Sequence, residues 1–318
     1  MRAVHARLPN RHVGQVPCRG IIVAKGIAGK QREGNAMIDL KMNDGNTIPA
    51  LGYGTFQMTS EQVAKALPQA IELGYRHIDT ANAYYNEVAV GKAIADSGVD
   101  RSNIFLTTKL FPQDYGTDRC MDAIDASLRR LGTDYVDLLL LHQPYGAYTE
   151  AWKVLEEARR AGKVRSIGLS NFDQRKLQEV FDVAEVVPQV LQVEINPRNN
   201  QHEMKRWLDG KGVVFEGWYP LGHGDRALLE MPVFKRLAEK YGKSATQVIL
   251  RWHVQEGNVV FPKTLNPEHM RQNIDVFDFE LTADEVAEID AIPQQPYYVV
   301  PDEPPAFVLQ EADFDQQV

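Results

Sequence analysis

Six short apolar runs, each closing on a side chain of different chemistry, constrain the fold of this chain more than any other feature. They are Arg76-His77-Ile78-Asp79, Ile104-Phe105-Leu106-Thr107-Thr108-Lys109, Val136-Asp137-Leu138-Leu139-Leu140-Leu141-His142, Ser166-Ile167-Gly168-Leu169-Ser170-Asn171, Val190-Leu191-Gln192 and Val213-Val214-Phe215-Glu216-Gly217-Trp218. Helical patterns separate them. Short β-branched and leucine-rich runs alternating with helices describe parallel strands, which lack polar alternation because both faces are buried. A carboxylate, an amine, an imidazole, a hydroxyl and two amides therefore collect at C-terminal strand ends. In a closed (β/α)8 barrel that is the face where catalytic groups gather. The expected fold class is α/β, a (β/α)8 TIM barrel with an N-terminal hairpin cap and extra C-terminal helices.

The 318 residues and 44% hydrophobic content accommodate one such barrel, whose usual size is roughly 250 residues. A net charge of -8, with no basic cluster in the body of the chain, argues against nucleic-acid binding, which needs a positive footprint. A small-molecule partner and a monomer are expected. No apolar run reaches the ~18 residues of a membrane span. Cys18 and Cys120 are the two cysteines, which excludes a disulfide framework and suits a reducing, cytoplasmic setting. Residues 1–36 stand apart: Arg2, Arg7, Arg11, Arg19, Lys25, Lys30 and Arg32 face one acid, Glu33. This composition matches either a targeting leader or, the favoured reading, a disordered tail or an early start ahead of Met37.

The remaining chain divides into a barrel over residues 37–292 and a tail over 293–318. Alternating Ile38, Leu40 and Met42, followed by Asn43-Asp44-Gly45-Asn46, predict a hairpin covering the barrel bottom. A strand at 50–54 precedes a helix that Ser60 can cap, with Val63, Ala66, Leu67, Ala70 and Ile71 as its buried stripe. Helices are expected over 86–97, 117–131, 149–161, 173–183, 201–209, 229–241, 244–256 and 268–273. A further one opens with Thr282 and Glu285 as a capping box. The tail, rich in Pro, Gln and acids, shows no core pattern and is expected to lie over one barrel end or stay mobile.

Seven ordered blocks carry a resemblance. They are Gly74-Tyr75-Arg76-His77-Ile78-Asp79-Thr80-Ala81 with Tyr84, Asn86-Glu87 and Val90-Gly91; Thr107-Thr108-Lys109-Leu110; Leu141-His142-Gln143-Pro144; Gly168-Leu169-Ser170-Asn171-Phe172; Gln192-Val193-Glu194; Tyr219-Pro220-Leu221-Gly222; and Pro262-Lys263-Thr264. In this order, from Met37 to Ile292, the chain resembles the aldo-keto reductase family. The His142-Gln143-Pro144-Tyr145 block resembles bacterial members grouped with 2,5-diketo-D-gluconate reductases. The resemblance implies an oxidoreductase that reduces small polar carbonyls, keto-sugars or diketones with NADPH, NADH being possible, and a catalytic tetrad of Asp79, Tyr84, Lys109 and His142.

The chemistry suits those residue types. A carbonyl that receives hydride develops negative charge on oxygen and needs a proton donor and fixed hydrogen-bond donors there. A free Tyr, with pKa about 10, is a reluctant acid near neutral pH. Lys109 is expected to lower the Tyr84 pKa, with Asp79 holding the lysine. Tyr85, adjacent and bulkier than the residue usual in the family, competes with Tyr84 by a single register slip. His77 shares the strand parity of Asp79 and reads as a satisfied interior histidine.

The chain lacks a Gly-x-Gly-x-x-Gly turn after a first strand, which disfavours a Rossmann dehydrogenase. By the resemblance, Ser170, Asn171 and Gln192 bind the nicotinamide carboxamide, Trp218 stacks on its ring, and Leu221 and Gly222 pass the pyrophosphate. Lys263 and Thr264 meet the phosphate end, while Gln272 and Asn273 meet adenine. His269 replaces the family's usual Arg, which weakens the expected margin for NADPH over NADH. Phe56, Tyr85, Phe111 and Tyr145 are the candidate substrate-pocket aromatics, together with Trp218. No metal ligand set is expected. The alternatives are a metal-dependent barrel hydrolase or isomerase using His77, Asp79 and His142, and a cofactor-binding regulatory subunit without useful turnover.

Overall fold

The computed structural model describes residues 37–317; the basic segment 1–36 lies outside the described residues. The chain enters through an antiparallel hairpin, β1 (Asp39–Lys41) and β2 (Thr47–Pro49), in which Leu40 faces Ile48. Its turn runs through Gly45 at φ 91°, a conformation that glycine adopts without a Cβ penalty.

Eight parallel strands follow. They are β3 (Tyr53–Gly54), β4 (His77–Asp79), β5 (Phe105–Leu110), β6 (Val136–Leu141), β7 (Val164–Ser170), β8 (Val190–Glu194), β9 (Val214–Trp218) and β10 (Asn258–Val260), each bonded to its neighbours in sequence order. Between and after them lie α1 (Ser60–Glu72), α2 (Glu87–Asp96), α3 (Thr117–Leu131), α4 (Tyr148–Arg160), α5 (Gln174–Phe181), α6 (His202–Trp207), α7 (Arg226–Leu229), α8 (Pro232–Tyr241), α9 (Ala245–Gln255), α10 (Pro267–Ile274) and α11 (Ala283–Asp290). The last strand bonds back to the first: Gly52 N donates to Val260 O at 2.9 Å and Val260 N to Ala50 O at 3.0 Å. Those two bonds close the barrel.

Inward-facing residues along the strands form one apolar plug. Leu138, Leu140, Val190, Val214, Val259 and Phe261 pack there with Met42 and Ile48 of the hairpin. Outward-facing strand residues pack instead against the helix stripes, in a larger layer containing Ile78, Leu106, Leu139, Leu169 and the α1 stripe. The hairpin thus seals the bottom and leaves the opposite end, where the polar strand ends lie, open to ligands.

Local chemistry corrects two expectations. Thr59, not Ser60, caps α1: its hydroxyl accepts from Gln62 N, and the Gln62 side chain accepts from Thr59 N. This reciprocal box satisfies two otherwise orphaned donors, whereas a cap one residue later would leave Gln62 outside it. The pattern over 229–241 is not one helix, because α7 ends at Leu229 and α8 begins at Pro232. Proline lacks the N–H that an interior helix position needs but suits a first helical position. The capping box at Thr282 and Glu285 is present as expected.

The tail crosses the open end. Gln295 N donates to Arg198 O at 2.6 Å, and the N–H groups of Tyr297 and Tyr298 each reach a Glu194 carboxylate oxygen at 2.9 Å. Farther along, Gln113 exchanges two bonds with the Ala312 backbone, at 2.7 and 2.9 Å, and Arg130 pairs with Asp315 at 2.6 Å. Val308 and Phe314 are buried against Phe111 and Tyr145. The tail has no internal core pattern because its two buried side chains find their apolar partners on the barrel.

Ile48 is fully buried in the plug beneath the barrel. Replacing it with Ala is expected to cost ~2–5 kcal/mol through lost burial and an unfilled cavity. Urea unfolding followed by circular dichroism would read this as a lower midpoint with an unchanged slope.

Candidate active site

Three elements deliver the central groups. Asp79 ends β4, Lys109 lies one residue from the end of β5, and His142 directly follows β6. Tyr84 closes a 3-10 turn over Asn82–Tyr84. Two buried asparagines shape that turn. The Asn82 amide donates to Asp114 Oδ2 at 2.7 Å, while the Asn86 amide donates to Thr55 O and Met58 O at 3.0 Å each.

Lys109 is fully buried, and its Nζ donates to Asp79 Oδ1 at 2.7 Å, Thr80 O at 2.9 Å and Tyr84 Oη at 3.2 Å. An ammonium removed from water needs a counter-charge and acceptors for its protons, and it has both here. The Tyr84 ring lies 5.7 Å from the His142 ring and 5.0 Å from Phe56. Tyr85 turns away in a left-handed conformation, φ 56°, and meets Phe314 with ring centroids 5.6 Å apart. Geometry therefore separates the adjacent tyrosines: Tyr84 reaches Lys109 and Tyr85 does not.

The electrostatics correct the expectation for Tyr84. Its hydroxyl is pushed up to about 12, because burial outweighs the lowering effect of Lys109 and Asp79 adds to the rise. Burial also works against the Lys109 charge, but Asp79 and Tyr84 overcome it and hold the lysine above its ordinary value. His142 is driven well below the usual histidine range by burial and then by Lys109. Near neutral pH the site holds a protonated phenol, a charged lysine and a neutral imidazole.

His77 lies deeper. Its Nδ1 meets Pro49 O at 3.2 Å and its Nε2 meets Thr107 Oγ1 at 3.0 Å. It is the satisfied interior histidine that its sequence context suggested, and burial lowers it to about 3.

An adjoining wall comes from β7, β8 and β9. The Gln192 amide nitrogen donates to both Asp79 Oδ2 at 3.0 Å and Glu216 Oε2 at 2.9 Å. Asn171, at φ 67°, donates to His142 O at 3.0 Å and accepts from Trp218 Nε1 at 2.9 Å. Asparagine tolerates this left-handed backbone better than most residues.

This cluster and wall border a cavity of about 1270 Å³, large enough for a dinucleotide and a small substrate together. Asp79, Tyr84, His142, Ser170, Asn171, Gln192, Trp218, Leu221 and Lys263 line it, as do Phe56, Tyr85 and Phe111. Lys109 approaches from beneath through its contact with Tyr84. The lining fits an extended nicotinamide dinucleotide chemically. Its members include amide and hydroxyl groups, an indole and the Lys263 side chain.

Other candidate residues lie outside that lining. Tyr145 is a correction: its hydroxyl donates to Pro301 O at 3.0 Å and its ring carries the Lys176 ammonium at 4.1 Å. It supports the tail rather than facing the cavity, because Phe111 and the tail cover it. Gly222, Thr264, His269, Gln272 and Asn273 are likewise absent from the lining. The Thr264 hydroxyl accepts from Asn266 N at 3.1 Å ahead of α10, His269 is exposed, and Gln272 donates to Glu268 at 3.2 Å.

Sequence reasoning missed Glu216, Tyr219 and the tail residues Tyr297, Tyr298, Phe307 and Phe314. Glu216 carried a signal, since strand alternation places it on the same inward face as Trp218, and Tyr219 opens one of the ordered blocks. The tail residues reach the cavity by chain return, which no local pattern announces.

The sequence profile described as the aldo/keto reductase family matches residues 50–294. Morphine 6-dehydrogenase of Pseudomonas putida is 45% identical over 80% of this chain and 90% of its own length. Methylglyoxal reductase DkgA of Escherichia coli (strain K12) is 41% identical, covering 80% of this chain and 93% of itself. The crystal structure of a Bombyx mori aldo-keto reductase in complex with NADP superposes with a TM-score of 0.77 at 35% identity, over 81% of this chain and 93% of that one. Matched in profile, in full-length relatives and in fold, the chain belongs to the aldo/keto reductase family, whose members are oxidoreductases working with nicotinamide cofactors.

Proposed function

We propose that this enzyme reduces aldehydes and ketones to alcohols with NADPH, with small polar carbonyls, diketones and keto-sugars as the first substrate class, and that Tyr84 donates the proton. The observation that carries this reading is the placement of one buried ammonium, Lys109 Nζ, at 2.7 Å from Asp79 and 3.2 Å from Tyr84, beside the His142 ring.

When bound, the dihydronicotinamide supplies hydride to the carbonyl carbon. Everything else falls to the side chains. Tyr84 is protonated throughout the neutral range, and an alkoxide forming on the substrate is more basic than phenolate, so proton transfer from tyrosine is downhill once hydride arrives. Lys109 stabilises the phenolate left behind. Neutral His142 presents an uncharged N–H donor to the substrate oxygen. Ser170, Asn171 and Gln192 supply the hydrogen bonds that a carboxamide requires, and the Trp218 indole offers a face for the ring. Aromatic walls at Phe56, Tyr85 and Phe111 exclude water from the reacting centre and receive the apolar parts of the substrate.

Lys263 favours the phosphate of NADPH, and His269 and its neighbours on α10 are proposed to meet the adenosine end beyond the cavity lining. An imidazole offers less to a 2′-phosphate than the planar guanidinium fork.

Tyr84→Phe is expected to lower kcat on the order of 100-fold or more while leaving the NADPH Kd, read by fluorescence titration, near that of the wild type. Near-normal turnover of methylglyoxal or a diketone would sink the proton-donor assignment. His269→Arg is expected to tighten NADPH relative to NADH several-fold; an unchanged ratio of the two Kd values would place residue 269 away from the 2′-phosphate.

A further inference from the structure

Glu216 is a fully buried carboxyl group that the reaction above does not use. It points inward from β9, two residues below Trp218 and opposite Gln192 in the strand register. One oxygen, Oε2, accepts from the Gln192 amide; the other, Oε1, has no hydrogen-bond partner. His77 Nε2 lies 3.9 Å from Oε1, beyond hydrogen-bond reach. His77 Nδ1 faces a carbonyl, which can only accept, so Nε2 carries the lone pair and takes it to the Thr107 hydroxyl.

The Gln192 amide nitrogen spends both protons on carboxyl oxygens, one of Asp79 and one of Glu216. Its carbonyl oxygen is thereby turned away from both and left as an acceptor at the cavity wall. Glu216 fixes that orientation and stands behind the amide with a charge that depends on its protonation.

We propose that Glu216 is a positioning residue that holds Gln192 and biases the pocket between the two redox forms of the nicotinamide: neutral, it favours the uncharged reduced ring, and ionised, it favours the cationic oxidised ring. This rests on the cofactor placement given above. A cationic ring gains from a nearby carboxylate in a dry interior, whereas an uncharged ring does not.

The groups facing Glu216 leave it as the one that changes charge in the relevant range. Burial and then Asp79 raise it to about 8, against smaller opposing effects of Gln192 and Lys109. From β4, His77 is lowered to about 3; from β5, Lys109 stays above the ordinary lysine value. Tyr84 lies near 12 and His142 far below neutrality. On β10, the register partner of Glu216 is the apolar Val259. Glu216 is therefore mostly neutral below about pH 8 and ionised above it, so the preference moves toward NADP+ as pH rises.

The test is the ratio of the Kd values of NADP+ and NADPH for the full-length chain, titrated by tryptophan fluorescence at about pH 6.5 and about pH 9. Both nucleotides share the 2′-phosphate and adenosine, so titration at that end cancels. The wild-type ratio is expected to fall on the order of tenfold over this interval, and Glu216→Gln, which keeps a carbonyl for Gln192 but cannot ionise, is expected to flatten it. A flat wild-type ratio, or an equal fall in the variant, overturns the proposal. Should the variant not fold, calorimetry of the wild type at about pH 8 in buffers of different ionisation enthalpy decides. NADP+ is expected to release a larger fraction of a proton than NADPH, and equal release overturns the role. Failure of both nucleotides to bind would instead strike at the cofactor reading itself.

Discussion

The burial of one ammonium governs the architecture of this site. Lys109 has no exposure to water, and a lysine in that position is tolerated only when a counter-ion and hydrogen-bond acceptors replace its hydration. Asp79, the Thr80 carbonyl and the Tyr84 hydroxyl provide them. All three come from the β4 end and the turn behind it, so β5 must pair with β4 for the buried lysine to find them. The same burial that makes the ion pair strong drives His142 neutral and lifts Tyr84. One desolvated cluster thereby sets the protonation of every group around it.

That cluster extends farther than the four residues at its centre. The second oxygen of Asp79 accepts from Gln192, whose other amide proton goes to Glu216. Two carboxyl groups and one lysine share a low-dielectric interior, and a single cation cannot neutralise both acids. The acid hydrogen-bonded to the lysine has its counter-charge, while Glu216, across the barrel on β9, is raised to about 8. A line of polar groups thus runs from the tyrosine hydroxyl to Glu216 on β9, above a plug of purely apolar residues.

The open end of the barrel is completed by chain that is remote in sequence. Glu194, next to the strand end that carries Gln192, uses its carboxylate to receive the backbone N–H groups of Tyr297 and Tyr298. Phe111 and Tyr145 bury Val308 and Phe314. Residues expected to face the substrate divide accordingly. Phe111 touches both cavity and tail, whereas Tyr145 is consumed in holding the tail.

What the amino-acid order determined by itself was periodic or local. Leucine-rich runs between amphipathic stretches specify parallel strands and a barrel, the Thr282 and Glu285 pair specifies a helix start, and strand ends specify where Asp79, Lys109 and His142 fall. The ordered blocks also carry the family, because their spacing survives in the linear chain. Tertiary structure decided what depends on distance through space. It separated Tyr84 from Tyr85, since a left-handed residue after a short turn sends the second ring outward. It reversed the expected pKa direction at Tyr84, since desolvation is a property of the enclosing barrel and not of neighbouring letters. It also placed Glu216 under Gln192 and folded the tail over the mouth, two arrangements in which each partner finds the other only once the chain has closed on itself.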